Sequence, residues 1–203
     1  MNDEIKITAP RPQTTKTLVS EGTHPARVIG FIQMGTAEDT YMGEVKKFTK
    51  IRLSWEFPEE TKVFKEGEDA KPLVHSQEYT FSMGKKSNLR PIVEGIIGTS
   101  LQDEEAFNFN FASLLNLPCL VSIKHGKTKS GALYAKVGST SKPMKGQVIK
   151  SAFNPIIMFT FQNWNEEYFQ SLPEFIKEKI KRSDEYKAMK GIVDVVDPDA
   201  IPF

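Results

Sequence analysis

Cysteine is nearly absent: Cys119 is the only one in 203 residues. No disulfide can form within the chain, so the fold must rest on its core, and a reducing, cytoplasmic setting is expected. Long apolar runs are missing too. The longest, Ile156 to Phe159, falls far short of the roughly 18 residues a membrane span needs, so no membrane partner is expected. The first residues, MNDEIKITAPRP, carry acids and no apolar stretch, and do not read as a secretory signal. Histidine is scarce. His24, His75 and His125 stand far apart, with no Cys or His at metal-ligand spacing, so neither a metal nor a cofactor is expected. GKTKSG would need Gly in place of Val121 to make a phosphate-binding P-loop, which excludes nucleotide hydrolysis by that motif. No nucleophile elbow occurs.

Net charge is also small, at +1, but it is unevenly spread. From Lys124 to Lys150 there are seven lysines and no acid. From Ile192 to Phe203 there are three aspartates and no base. A net-positive body with an acidic end is the first pointer to function.

Residues 1–21, rich in Thr, Pro and Lys and without periodicity, read as an arm. A first strand is expected from Ala26 to Met34, followed by a turn region, AEDTYMG, ending at Gly43. The second strand, Val45 to Phe57, alternates. Ile51, Leu53, Trp55 and Phe57 share one face, while Lys46, Phe48, Lys50 and Arg52 share the other. Lys47 and Thr49 interrupt the pattern and suggest a bulge. Residues 58–72 read as a long exposed loop, and Leu73 to Met83 as a third strand.

The period then changes. Ser87 to Gly98 reads as a helix, with Pro91 in the first turn and Gly98 at the end. Short helices are expected at Asp103–Phe107 and Phe111–Leu115. Strands follow at Cys119–His125 and Ala132–Gly138, joined by a Gly- and Ser-rich tip. Phe153 to Trp164 could add a strand. Pro173 to Lys190 reads as one charged helix with Phe175, Ile176, Ile180, Tyr186 and Met189 as contact residues.

Three strands, a helix and two strands are the order of an OB-fold. The expected class is therefore mainly β: a five-stranded Greek-key barrel over 22–150, a strand-and-helix extension over 151–191, and a tail over 192–203.

Unpaired nucleic acid requires cations along its phosphates and flat side chains under its bases. The second-strand face offers both in Lys46, Phe48, Lys50 and Arg52. The fourth and fifth strands add Lys124, Lys127, Lys129, Tyr134 and Lys136, and the first strand adds Arg27 and Phe31. The cations are expected to hold phosphates; Phe31, Phe48 and Tyr134 are expected to stack. The competing reading is a solvated surface with lysines for solubility. Phe153, Phe159, Phe161 and Trp164 could stack bases or form an apolar contact between copies, making a homo-oligomer. Cys119, at the head of an apolar strand, reads as a small buried hydrophobe.

The tail residues Asp194, Asp197, Asp199, Ile201, Pro202 and Phe203 make a poor core segment and a good peptide ligand. A terminal Phe with its carboxylate suits an apolar pocket flanked by cations. The same acids could lie in the chain's own basic groove. This ending, DVVDPDAIPF, resembles the acidic tip of bacterial single-stranded DNA-binding proteins. The body, in EGTHPARVIGFIQMGT, KIRLSWEFPEE, EYTFSMGKKSNLR and LPCLVSIKHGKTKSGALYAKV, resembles bacteriophage single-stranded DNA-binding proteins over roughly residues 20–150. The resemblance implies an OB-fold that coats single strands in phage replication and recombination. It also implies a tail that recruits replication or recombination proteins. The spaced aspartates and Ala200 depart from the bacterial tip and favour a phage-encoded partner.

Two other functions fit the same residues. Asp39, Glu44 and Lys46 could form a metal-dependent nuclease centre. Salt-sensitive coating of single strands could also serve annealing or recombination mediation. An adaptor acting through its tail alone would have no affinity for oligonucleotides.

Overall fold

The computed structural model describes residues 17–41 and 43–192. They form a mainly β structure. The strands are β1 (Gly22–Tyr41), β2 (Glu44–Lys62), β3 (Lys71–Thr80), β4 (Pro118–Lys127), β5 (Leu133–Ser141) and β6 (Ile157–Phe159). They make one six-stranded sheet along the path β3-β2-β1-β4-β5, with β6 added to β1. Every ladder is antiparallel except that of β6, which runs parallel to β1. Among the described residues no ladder closes the path between β3 and β5. A side chain bridges them there: Gln77 Oε1 accepts from the Val137 N–H at 2.8 Å. The described sheet is thus open at the seam a closed barrel would need.

The first two strands outrun the expected boundaries. AEDTY, expected as a turn, is paired: Glu38 stands opposite Lys47 and Asp39 opposite Lys46. Opposite charges across an antiparallel pair favour the ladder, so the reversal shrinks to the residues around Gly43. The bulge expected near Lys47 and Thr49 is not in β2. The register breaks of the β1–β2 ladder fall on β1, between Val28 and Gly30 and between Gln33 and Gly35.

Those two bulges organise the interior. On β2, Ile51, Leu53, Trp55 and Phe57 are fully buried, as the alternation predicts. On β1, Val28 and Phe31 enter that same core, while Ile32 and Met34 enter a second one. An extra residue at each bulge shifts the phase of alternation, so one strand supplies both faces.

Between β3 and β4 lies α1 (Leu89–Ile97), ended by Gly98 in the left-handed region with its N–H on the Glu94 carbonyl. Then come α2 (Asp103–Phe107) and a 3₁₀ turn at Phe111–Leu114. Arg90 pairs with Glu94 of its own helix at 2.9 Å and ties α1 to α2 through Asp103 at 2.8 Å. No helix among the described residues is long and apolar enough to cross a membrane.

The single helix expected over Pro173–Lys190 is two, α4 (Glu174–Lys181) and α5 (Asp184–Lys190), preceded by α3 (Glu166–Ser171). Ser183 makes the break. Its hydroxyl donates to the Ile180 carbonyl at 2.7 Å and accepts from the Tyr186 N–H at 3.2 Å, capping α5. Ile176 and Ile180 are buried as expected, but Phe175 and Met189 face outward. Ile176 and Ile180 join Phe159, Phe169 and Leu172 against Ile32 and Met34. Phe161 and Trp164 pack on the same cluster, so Phe159, Phe161 and Trp164 are core contacts within the chain. Phe159 is fully enclosed there, while Phe161 and Trp164 are half-buried. Phe153 alone of that set is exposed.

Gly35 holds the extension against the sheet. Its φ is +83°, and a Cβ there would collide with Ser183 and come within 2.8 Å of the Glu185 carboxylate. Beside it, Glu185 accepts from the Thr36 N–H at 2.6 Å and hydroxyl at 2.8 Å. Gly35→Ala should therefore destabilise the protein by at least about 1 kcal/mol. Urea unfolding followed by tryptophan fluorescence measures this; an unchanged midpoint would show that α5 does not need this approach.

Candidate nucleic-acid interface

The β4–β5 hairpin separates apolar from cationic side chains. Val121, Ile123, Ala135 and Val137 turn into the core. On the outer side Lys124 stands directly opposite Lys136, and Gly126 opposite Tyr134. Two glycines make room here. A Cβ at Gly126 would lie 2.7 Å from the Tyr134 ring, and one at Gly138 would lie 3.2 Å from the Lys124 stem. Tyr134 therefore lies across bare backbone and remains 41% exposed.

Like charges opposite one another in a ladder repel. Among the described residues no carboxylate pairs with Lys124, Lys127, Lys129 or Lys136. The acid-free stretch of sequence is thus an uncompensated positive edge in space, poised for an external anion.

The β2 face differs from expectation, because its cations have partners. Lys46 pairs with Glu44 at 2.6 Å, and Lys50 with Asp39. The hydrogen bond from Lys50 holds the Asp39 carboxyl below its usual range. Arg52 lies 3.4 Å from Glu78, with the Phe175 ring 5.9 Å from its guanidinium carbon. Its side chain is only 18% exposed, and burial lowers the guanidinium pKa. The extension places this cover over the strand.

Three cavities join along this surface. The largest, about 710 Å³, opens at the β3–β5 seam and takes in Phe48, Lys50, Lys86 and Ser139. A second, about 430 Å³, lies between Arg52, Tyr134, Lys136 and Lys179. A third, about 310 Å³, is lined by Phe48, Lys50, Lys179 and Arg182. Glu78 lines all three, which makes them one trough. Its floor is β2 and β3; its walls are the β4–β5 hairpin, the start of α1 with the loop before it, and α4. Lys86, Lys179 and Arg182 are members that the sequence reading missed. Nothing local marks them, because they enter from a loop and from helices distant in sequence.

Phe48, Lys50, Arg52, Tyr134 and Lys136 gather on the trough; Lys124 is beside Lys136 on the hairpin, and Lys127 and Lys129 lie toward its tip. Lys46 sits near the β1–β2 turn. Two expected members are elsewhere. Arg27 spends its guanidinium on the main-chain carbonyls of Asn116, Ile149 (2.8 Å) and Lys150 (3.0 Å), so it anchors the segment after β5 rather than a phosphate. Phe31 is 3% exposed, with its ring centroid 5.6 Å from that of Phe111 and 6.0 Å from that of Phe81. A base cannot reach it.

The tail residues Asp194, Asp197, Asp199, Ile201, Pro202 and Phe203 lie outside the described residues, as does the arm up to residue 16. The nuclease triplet is split between two ion pairs, Asp39 with Lys50 and Glu44 with Lys46. Among the described residues no three His, Cys, Asp or Glu side chains converge as a metal site. No protein-family model matches the chain, and no curated protein matches it.

Cys119 is fully buried at the start of β4, and burial pushes its thiol up to about 12. At pH 8 it should resist alkylation in the native protein and react at once in urea. Stability should fall above pH 9, because the unfolded thiol ionises from its ordinary 9.0 while the folded one stays neutral. Mass spectrometry of iodoacetamide-treated protein checks the first point, and rapid native labelling would contradict it.

Proposed function

We propose that this chain is a sequence-independent single-stranded DNA-binding protein built on an OB-type barrel, acting in phage DNA replication or recombination. The strand path and the helix between β3 and β4 support that architecture, with Gln77 bridging the seam where a ladder would close it. The observation that carries the function is the trough bounded by an edge of lysines without carboxylate partners.

In this reading phosphates run along Lys124, Lys127, Lys129 and Lys136, where they relieve the repulsion between opposed lysines. Bases lie toward Phe48 and Tyr134. Rings accept any base face, and lysine contacts to phosphate carry no sequence information, so binding is sequence-independent. No chemistry is required of the site, and the protein is not an enzyme. The acidic tail serves as the recruitment peptide for a replication or recombination protein.

Anisotropy with a labelled oligothymidylate tests the reading. Affinity should fall steeply as salt rises, because condensed counterions leave the strand on binding. Lys124→Ala combined with Lys136→Ala should reduce the slope of log K against log salt by about 2. Tyr134→Ala should weaken binding by about 1–3 kcal/mol. Arg27→Ala should lower stability while leaving the slope unchanged. A salt-independent affinity, or none at low salt, would sink the proposal.

A further inference from the structure

We infer that Glu78 is an internal substitute for phosphate, a carboxylate that occupies the cationic centre of the trough until a nucleic-acid strand displaces it. The inference rests on the single-strand reading above and concerns how that site is regulated.

Three observations converge on this residue. Both Glu78 oxygens contact Lys179 Nζ, at 2.9 and 2.8 Å, and one of them lies 3.4 Å from Arg52. One anion thus holds a cation from the floor and a cation from the wall, the arrangement that a phosphate bridging the trough would adopt. All three cavities touch Glu78, so it stands where they meet rather than at an edge. The pair is also only partly shielded: the side chain of Glu78 is 21% exposed and that of Lys179 51% exposed. Water and a ligand can therefore reach it, unlike a buried structural bridge.

The neighbouring charges repeat the arrangement. Asp39 neutralises Lys50 in one of the cavities that Glu78 lines, where Phe48 also lies. The hairpin lysines have no such acid. A strand therefore meets two kinds of cation. Those of the hairpin are available at first encounter, whereas Arg52 and Lys179 become available only when Glu78 gives way. The barrier favours a polymer already held by several phosphates over a lone anion, because only the polymer brings a second phosphate to the pair at high local concentration.

The test uses the full chain, labelled oligothymidylate and a salt series. Glu78→Gln should bind roughly three- to tenfold more tightly at low salt, with a log K–log salt slope steeper by about 1. Lys179→Ala should cost more affinity in the Glu78→Gln background than alone, since Lys179 is then free to meet phosphate. A merely structural bridge gives the opposite pattern: a lower urea midpoint and no gain in affinity. Wild-type protein without salt-dependent binding would remove both the single-strand reading and this one. Wild-type binding with unchanged or weaker affinity in a folded Glu78→Gln variant would overturn the role of Glu78 alone. If Glu78→Gln does not fold, Glu78→Asp decides by the same criterion. Its retracted carboxylate should yield a smaller gain in affinity, and no gain overturns the inference.

Discussion

The structure depends on β1 being covered on both sides. A strand with one wet face alternates, but β1 reads Val28-Ile29-Gly30-Phe31-Ile32-Gln33-Met34 and presents apolar groups to two cores. Its bulges let it do so without losing the ladder to β2. One core seals the main sheet and the other seats the helices of the extension. Because the extension is seated there, α4 lies where its side chains wall the trough. The placement of Lys179 and Arg182 is thus a consequence of apolar packing some distance away. Burial decides where the cations stand; electrostatics decides only what they can hold.

The same geometry sorts the positive charges into two populations. On β2, Lys46, Lys50 and Arg52 are partnered by acids of the β1–β2 hairpin and of β3, and the extension lies close over Arg52. Those on β4 and β5 project from a hairpin with no acid of its own. Exposed pairs contribute little stability, typically about 0–1 kcal/mol each, so the difference matters less for folding than for what an approaching anion meets. The protein presents a bare edge and a guarded centre.

Local features were legible wherever one residue's neighbours in sequence were also its neighbours in space. The alternation through Ile51, Leu53, Trp55 and Phe57, the Pro91 and Gly98 ends of α1, and the glycine-rich hairpin tip all belong to this class. The structure places each of them where the pattern predicts. The failures are long-range. Arg27 looked like a phosphate ligand because its carbonyl partners lie 89 to 123 positions away. Phe31 sits in a stretch without alternation, so its face could not be read. Glu78 and Lys179, separated by 101 positions, gave no local hint of a pair. The break at Ser183 was visible in principle, since Ser followed by two acids is a helix-start signal. It was obscured by the charged residues on either side.

Arg27 and Glu56 share one task. Both hold the connection between β5 and β6, and both do so mainly through the main chain. Arg27 donates to carbonyls, while the fully buried Glu56 accepts from the N–H groups of Phe153 and Asn154 at 2.7 and 2.8 Å. Neither relies on an opposite charge that dissolved ions could replace. These two anchors of the β5–β6 connection are therefore indifferent to electrolyte, whereas the outer lysines are sensitive to it. A brine that strips a bound polymer from the surface should leave the scaffold beneath it standing, ready to be loaded again.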